Sequence, residues 1–252
     1  MTAMCVAPPA QPSPRSALEL ALYRPYQWPP DHRRVTVRFL DGGPTQHTIV
    51  RVLVEGAWNR ASGLQFAFVD GPADVRVTFQ GVGNWCYPGT YGLALPQDEE
   101  TMCLSGVRQD STVADIRRIV LHEFGHACGY LHEQQSPSAE IPWDVPAVYA
   151  YYRARGWDKT MTDSQVLART GEEVAEAGSY DFLSVMHYHI PAELVLDRVA
   201  RGGSDRLSAG DVAMARHWYG DPPAVPEPPP VEPPPAPPKW SWFIPYVATE
   251  EE

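Results

Sequence analysis

An α+β domain is the fold class this sequence predicts, with a β-rich half first and a helical half second. Three observations carry that expectation. Apolar and polar residues alternate with period two in VTVRFL (35–40), LQFAFV (64–69) and DVRVTFQ (74–80), as strands do. From Ser111 onward the apolar spacing shifts to the three-to-four residue period of helices. A run in which nearly every second residue is proline, 221–239, then ends the packable chain near Gly220. At 252 residues and 44% hydrophobic, the chain can bury a core of one or two domains.

Taken in order, residues 1–30 are rich in Pro, Ala and Ser and read as an extended N-terminal arm or pro-segment, with one short helix in SALELALY (16–23). Residues 31–220 are the folded part. After the first strand, Ile49, Val50, Leu53, Ala57 and Trp58 share one face of a helix over about 45–60, with Gly63 placed to stop it. Two strands follow, then a Gly-, Pro- and Tyr-rich loop and a short strand, TMCLS (101–105). A long helix begins at Ser111 or Thr112, where Asp115 completes a capping box with Thr112, and Ile116, Val120 and Phe124 line its inner face. LSAGDVAMARHWYG (207–220) closes the domain, with a box from Ser208 and Asp211 and a stop at Gly220. Residues 221–239 form a polyproline II linker, and 240–252 an aromatic and acidic tail too short to fold alone.

A net charge of −11 and a pI near 5.2 exclude nucleic acid and anionic membrane as natural partners, since both would repel the surface. No run approaches the roughly 18 apolar residues of a spanning helix, and MTAMCVAPPAQPSPRS lacks the basic and apolar regions of a secretory signal. Four cysteines, Cys5, Cys86, Cys103 and Cys128, are too few and too scattered for a disulfide scaffold.

The chemistry concentrates in HEFGHACGYLH (122–132), which holds three of the eight histidines. His122 and His126 stand four apart on the long helix, so both imidazoles share a face and can bind one ion. Gly129 can take the left-handed conformation that ends a helix, letting the chain turn back so that His132 becomes a third ligand. Glu123 flanks the ligands, where a general base for a metal-activated water belongs. Gly125 inside the helix costs about 1 kcal/mol relative to Ala, so packing or function outranks propensity there. HExxH alone arises by chance, but the five fixed positions of HExxHxxGxxH recur by accident less than once in about ten thousand such chains. Three neutral nitrogens with a position open for water mark a catalytic Zn2+ site.

HEFGHACGYLHE followed some fifty residues later by SYDFLSVMHY resembles the metzincin clan of zinc endopeptidases, and within it the astacin family. The resemblance spans about residues 32–220. It implies a twisted, mostly parallel sheet with an antiparallel edge strand and a long zinc helix in the N-terminal half, and a mainly helical or irregular C-terminal half. It makes Met186 the methionine of the Met-turn beneath the histidines. It makes Tyr188 the tyrosine that approaches zinc and swings to stabilise the tetrahedral intermediate. The implied function is a zinc-dependent metalloendopeptidase that cuts internal peptide bonds, with Glu123 as general base. The implied partner is a protein or peptide bound as an extended strand against the 101–105 edge, with HIPAE (189–193) walling the pocket, and a monomeric enzyme is expected. Glu133 follows the third histidine, as in astacins, where that glutamate helps anchor the mature N-terminus. It then leads into QQSPSAEIPWD instead of a charged Arg-Asp cluster. NWCYPGTYG…TMCLSG is closer to a matrixin pattern, so a divergent, microbial or fungal type is implied.

Cys86 and Cys103 resemble, in place and spacing, a disulfide of astacins, the alternative being two buried or free thiols. The enzyme class and that candidate bridge point to secretion, the opening residues do not. Cys128 reads as a packed thiol, and Cys5 matches no latency-switch motif. Strand-like alternation turns His187 and His189 away from Tyr188 into supporting or surface roles. His32, His47 and His217 read as surface residues. The competing functional readings are a catalytically silent metzincin-fold protein acting through its tail, and a Pro-rich ligand for an aromatic groove. Glu123 together with Tyr188 speaks against a silent site, which needs neither.

Overall fold

Val35 and Val37 are fully buried while Arg34 is exposed, so the first predicted strand, β1 (Arg34–Phe39), places its alternation against a core. The computed structural model describes residues 26–169 and 179–224. Cys5, the helix expected at 16–23, nearly all of the proline-rich linker and the aromatic tail lie outside the described residues. β1 pairs in parallel with β2 (Gln65–Phe68) on one side and β3 (Val75–Thr78) on the other, and β3 pairs in parallel with β5 (Met102–Leu104). β4 (Asn84–Cys86) runs antiparallel to β5, with Trp85 opposite Cys103, and the strand order is β2-β1-β3-β5-β4. The sheet is therefore mostly parallel with one antiparallel edge.

Two expectations are corrected here. The stretch before residue 101 is not all loop: NWC pairs as β4, a strand too short for alternation to register. It follows that β5, expected to be the free edge, is hydrogen-bonded on both sides, and the edge is β4.

Parallel β1 and β2 need a crossover, which α1 (Pro44–Gly56) supplies. The Gln46 side-chain Oε1 accepts from Gly43 N at 2.9 Å and closes its N-terminus. The single helix expected over 45–60 breaks at Ala57 (φ −119°, ψ −79°) and resumes as α2 (Trp58–Ala61). The break turns Trp58 inward, where it is 1% exposed and its indole N–H donates to Leu121 O at 2.9 Å. α3 (Val113–Ala127) starts at Thr112, whose hydroxyl accepts from Asp115 N, and packs Val120 and Phe124 into the core with Phe66 and Val77. A smaller second core joins α4 (Val145–Arg153) and the segment after α5 (Lys159–Thr162) to Ile190, Leu194 and Val195. α6 (Ala209–Tyr219) carries the expected Ser208–Asp211 capping box and folds back on the first half, where the Tyr219 hydroxyl donates to Cys128 O. Among the described residues no helix is long and apolar enough to cross a membrane.

The loop leading to β5 is held from inside by Arg76, which is fully buried. Its Nε donates to Glu99 O at 2.7 Å, Nη1 to Ala73 O and Asp74 O, and Nη2 to Gly92 O at 3.0 Å and Leu95 O. A planar guanidinium with five fixed donors suits such a cage of carbonyls, and an ammonium does not. Replacing Arg76 with Met should lower unfolding stability by at least about 3 kcal/mol, because several carbonyls are left buried without donors. Urea unfolding checks this, and Arg76→Lys should recover little of the loss.

Candidate active site

α3 ends in a Schellman motif: Tyr130 N donates to Gly125 O at 3.0 Å and Gly129 N to His126 O at 2.7 Å, with Gly129 at φ +96°. That left-handed residue reverses the chain and returns His132 to the face carrying His122 and His126. The three imidazoles offer ligand atoms that all lie within 4.8 Å of one another, and all three are buried. His126 Nε2 and His132 Nε2 are 3.2 Å apart. His122 Nδ1–H donates to Val185 O at 2.8 Å and His126 Nδ1–H to Tyr130 O at 2.7 Å. Because a carbonyl can only accept, these bonds put the proton of His122 and His126 on Nδ1 and make Nε2 the lone-pair nitrogen of those two rings. His122 Nε2 is buried with no hydrogen-bond partner among the described residues.

Burial lowers the His122 pKa to about 3 and His126 to about 4, and takes His132 well below the usual histidine range, with the neighbouring imidazoles adding to the shift at His122 and His132. Three neutral imidazoles converging on one point are the donor set of a zinc site, and the orphaned His122 nitrogen is the polar atom that an ion there would satisfy. The residues fit the metal.

The turn beneath the site is fixed from α6. Asp211 accepts from Val185 N at 2.9 Å and Ser208 N at 2.8 Å through one oxygen, and from Ser184 Oγ at 2.6 Å through the other. Val185 O then accepts from His122, and Met186 O accepts from Glu133 N at 3.1 Å. Met186 is buried, and its sulfur lies where a Cβ on Gly125 would come within 2.2 Å. Gly125 is thus the residue that lets the Met-turn close on the helix, which accounts for its place in a helix interior.

Glu123 is 1% exposed. Its charge, second to burial, raises the pKa of Cys86 on β4, and it adds to the raised value of Cys103 on β5. Tyr188 is 9% exposed, with its ring 4.3 Å from His132 and 6.1 Å from His122. Tyr188 N donates to Gln134 Oε1 at 3.1 Å. Glu133 is half-buried and accepts from Asp181 N at 2.9 Å, and desolvation pushes its carboxyl up to about 7.

The candidate Cys86–Cys103 bridge is absent: both are free thiols, as is Cys128. The register gives the reason. Cys86 faces Met102 and Trp85 faces Cys103, so the two cysteines project from opposite faces of adjacent strands. His187 is buried and His189 exposed, a supporting and a surface position respectively. His32 and His47, expected on the surface, are half-buried, His32 at 3.1 Å from Asp74 Oδ2 and His47 stacked on Phe39 at 4.1 Å. Gln134 and Asp211 were not identifiable as site residues from sequence. Asp211 was legible only as a cap, and Gln134 carries no signal beyond its place two residues after His132.

No protein-family model and no curated protein matches the sequence. Among solved structures, the chain is similar to myroilysin, at 34% identity and TM-score 0.75 over 81% of this chain and 98% of that one. A crystal structure of myroilysin also aligns, at 31% identity and TM-score 0.59, over 83% of this chain and 97% of that one. High choriolytic enzyme 1, a hatching enzyme zinc-protease from Oryzias latipes (medaka fish), shares the fold at 15% identity and TM-score 0.55, over 78% and 96%.

Gly125→Ala should destabilise the protein by about 1 kcal/mol net, since overpacking against Met186 costs about 1–3 kcal/mol and the helix gains about 1 kcal/mol. A thermal midpoint at or above wild type contradicts that contact. For the cysteines, alkylation without reductant should label Cys86, Cys103 and Cys128 after unfolding and leave the buried thiols unlabelled in the native protein, read by peptide mass spectrometry.

Proposed function

The chain belongs to the astacin family of zinc metalloproteases, and from that premise we propose that it cuts internal peptide bonds of proteins with Glu123 as general base and Tyr188 as the donor to the developing oxyanion. The observation that carries the proposal is the convergence of three buried, neutral imidazoles beside a buried carboxylate on the same helix. His122, His126 and His132 would hold the zinc, which would supply Lewis acidity to lower the pKa of a water to about 7 and polarise a carbonyl.

Glu123 takes the proton of the attacking water on a carboxylate oxygen and passes it to the leaving amine nitrogen. The role requires one carboxylate within hydrogen-bond reach of both. The Tyr188 phenol, ringed against His132, donates to the scissile carbonyl oxygen as negative charge builds there. The substrate lies extended along the outer edge of β4, adding a strand to the sheet by backbone hydrogen bonds, so that a mid-chain bond crosses the site. The burial of the histidines and Glu123 keeps competing water away.

Hydrolysis of an unfolded protein substrate tests this. Wild type should cut it, lose activity to a chelator and regain it with added zinc. Glu123→Gln should bind about one zinc and fall by about 10³-fold or more in kcat, and Tyr188→Phe by about 10²-fold with zinc content unchanged. Zinc-loaded wild type that cuts nothing would leave a binding protein on a protease fold.

A further inference from the structure

His187 sits beside Tyr188 in the sequence, is buried, and is no zinc ligand, yet both of its ring nitrogens are engaged. Nδ1 lies 2.6 Å from Tyr188 O, and because a carbonyl accepts, Nδ1 carries the proton. Nε2 is then an acceptor, and the Tyr180 hydroxyl donates to it at 2.7 Å. Tyr188 is therefore gripped at both ends of its own main chain, at N by Gln134 Oε1 and at O by His187 Nδ1. The strand-like segment across from it seals the grip. Ile190 and Arg201 exchange backbone hydrogen bonds at 2.8 and 3.0 Å, and Gly202 at φ +69° approaches so closely that a Cβ there would lie 2.1 Å from Tyr188 O and 2.4 Å from His187 Nδ1. With the Tyr188 main chain held at both ends, the freedom left to the residue is rotation of its side chain, whose ring centroid lies 4.3 Å from that of His132.

We infer that Tyr180 and His187 are positioning residues for the Tyr188 phenol, a relay in which the Tyr180 hydroxyl orients His187 and His187 locks the Tyr188 carbonyl. This rests on the reading of Tyr188 as oxyanion donor. The effect belongs to the chemical step, because a loosened backbone misplaces the donor by fractions of an ångström in the transition state while the substrate still binds along β4.

A double-mutant cycle in the full chain separates the two claims. Tyr180→Phe, which removes one hydroxyl, should lower kcat about five- to tenfold, with KM and zinc content unchanged and only a small fall in thermal midpoint. In the Tyr188→Phe background the same change should cost nothing further, since the group it positions is gone. His187→Asn, which keeps a donor near Tyr188 O, should retain more activity than His187→Leu. A Tyr180→Phe enzyme with wild-type kcat overturns the relay, as does a loss that persists undiminished in the Tyr188→Phe background. If Tyr188→Phe alone leaves kcat intact, the assignment of Tyr188 fails and the relay falls with it.

Discussion

Two main-chain carbonyls, Val185 O and Tyr130 O, decide whether this protein has a metal site. Each accepts from the Nδ1 of a histidine and so fixes that ring as the tautomer whose Nε2 carries the lone pair. A buried imidazole without such a bond could rotate or present a proton inward. Much of the remaining structure serves to place these two oxygens. Tyr130 O is set by the left-handed Gly129 and the Schellman bonds that end α3, and Val185 O is set by Asp211 reaching from α6.

That dependence explains why the two halves of the chain cannot be read as separate modules. The zinc helix belongs to the first half, packed on the sheet through Phe124 and Val120. One of its histidines, however, is oriented by a residue sixty-three positions later, and the third ligand is followed by Glu133, whose N–H is held by Met186. α6 ties the ends together, holding the Met-turn at its N-terminus and the end of the zinc helix at its C-terminus through Tyr219. The sheet ends in β4, three residues long and paired on one side, which leaves a free backbone edge.

The zinc ligands were legible because their geometry is local: a spacing of four on a helix, a glycine to stop it, and a histidine three residues on. The parallel strands were legible because Val35, Val37, Val75 and Val77 alternate over enough residues to register. β4 was not, since three residues between Gly83 and Tyr87 contain no period. The break at Ala57 was equally hidden, as its cause is the burial of Trp58 under Leu121 O, a contact across sixty-three residues. The resemblance suggested a Cys86–Cys103 bridge from spacing alone, and only strand register shows the two facing apart. Gln134, Asp211 and Tyr180 act through partners distant in sequence or through the main chain, where residue type carries no trace of the role. Gly125 was visible as an anomaly, and its cause, the sulfur of Met186, came only with the fold.

The central claim is that the fold delivers His122, His126 and His132 to one ion. A crystal structure of the zinc-loaded protein with anomalous scattering recorded at the zinc edge tests it most directly. The account predicts one anomalous peak bonded at about 2.0–2.1 Å to the Nε2 atoms of all three histidines, with Val185 O and Tyr130 O still accepting from the Nδ1 atoms behind His122 and His126. A peak elsewhere, or one at which any of the three rings is turned away, would contradict it.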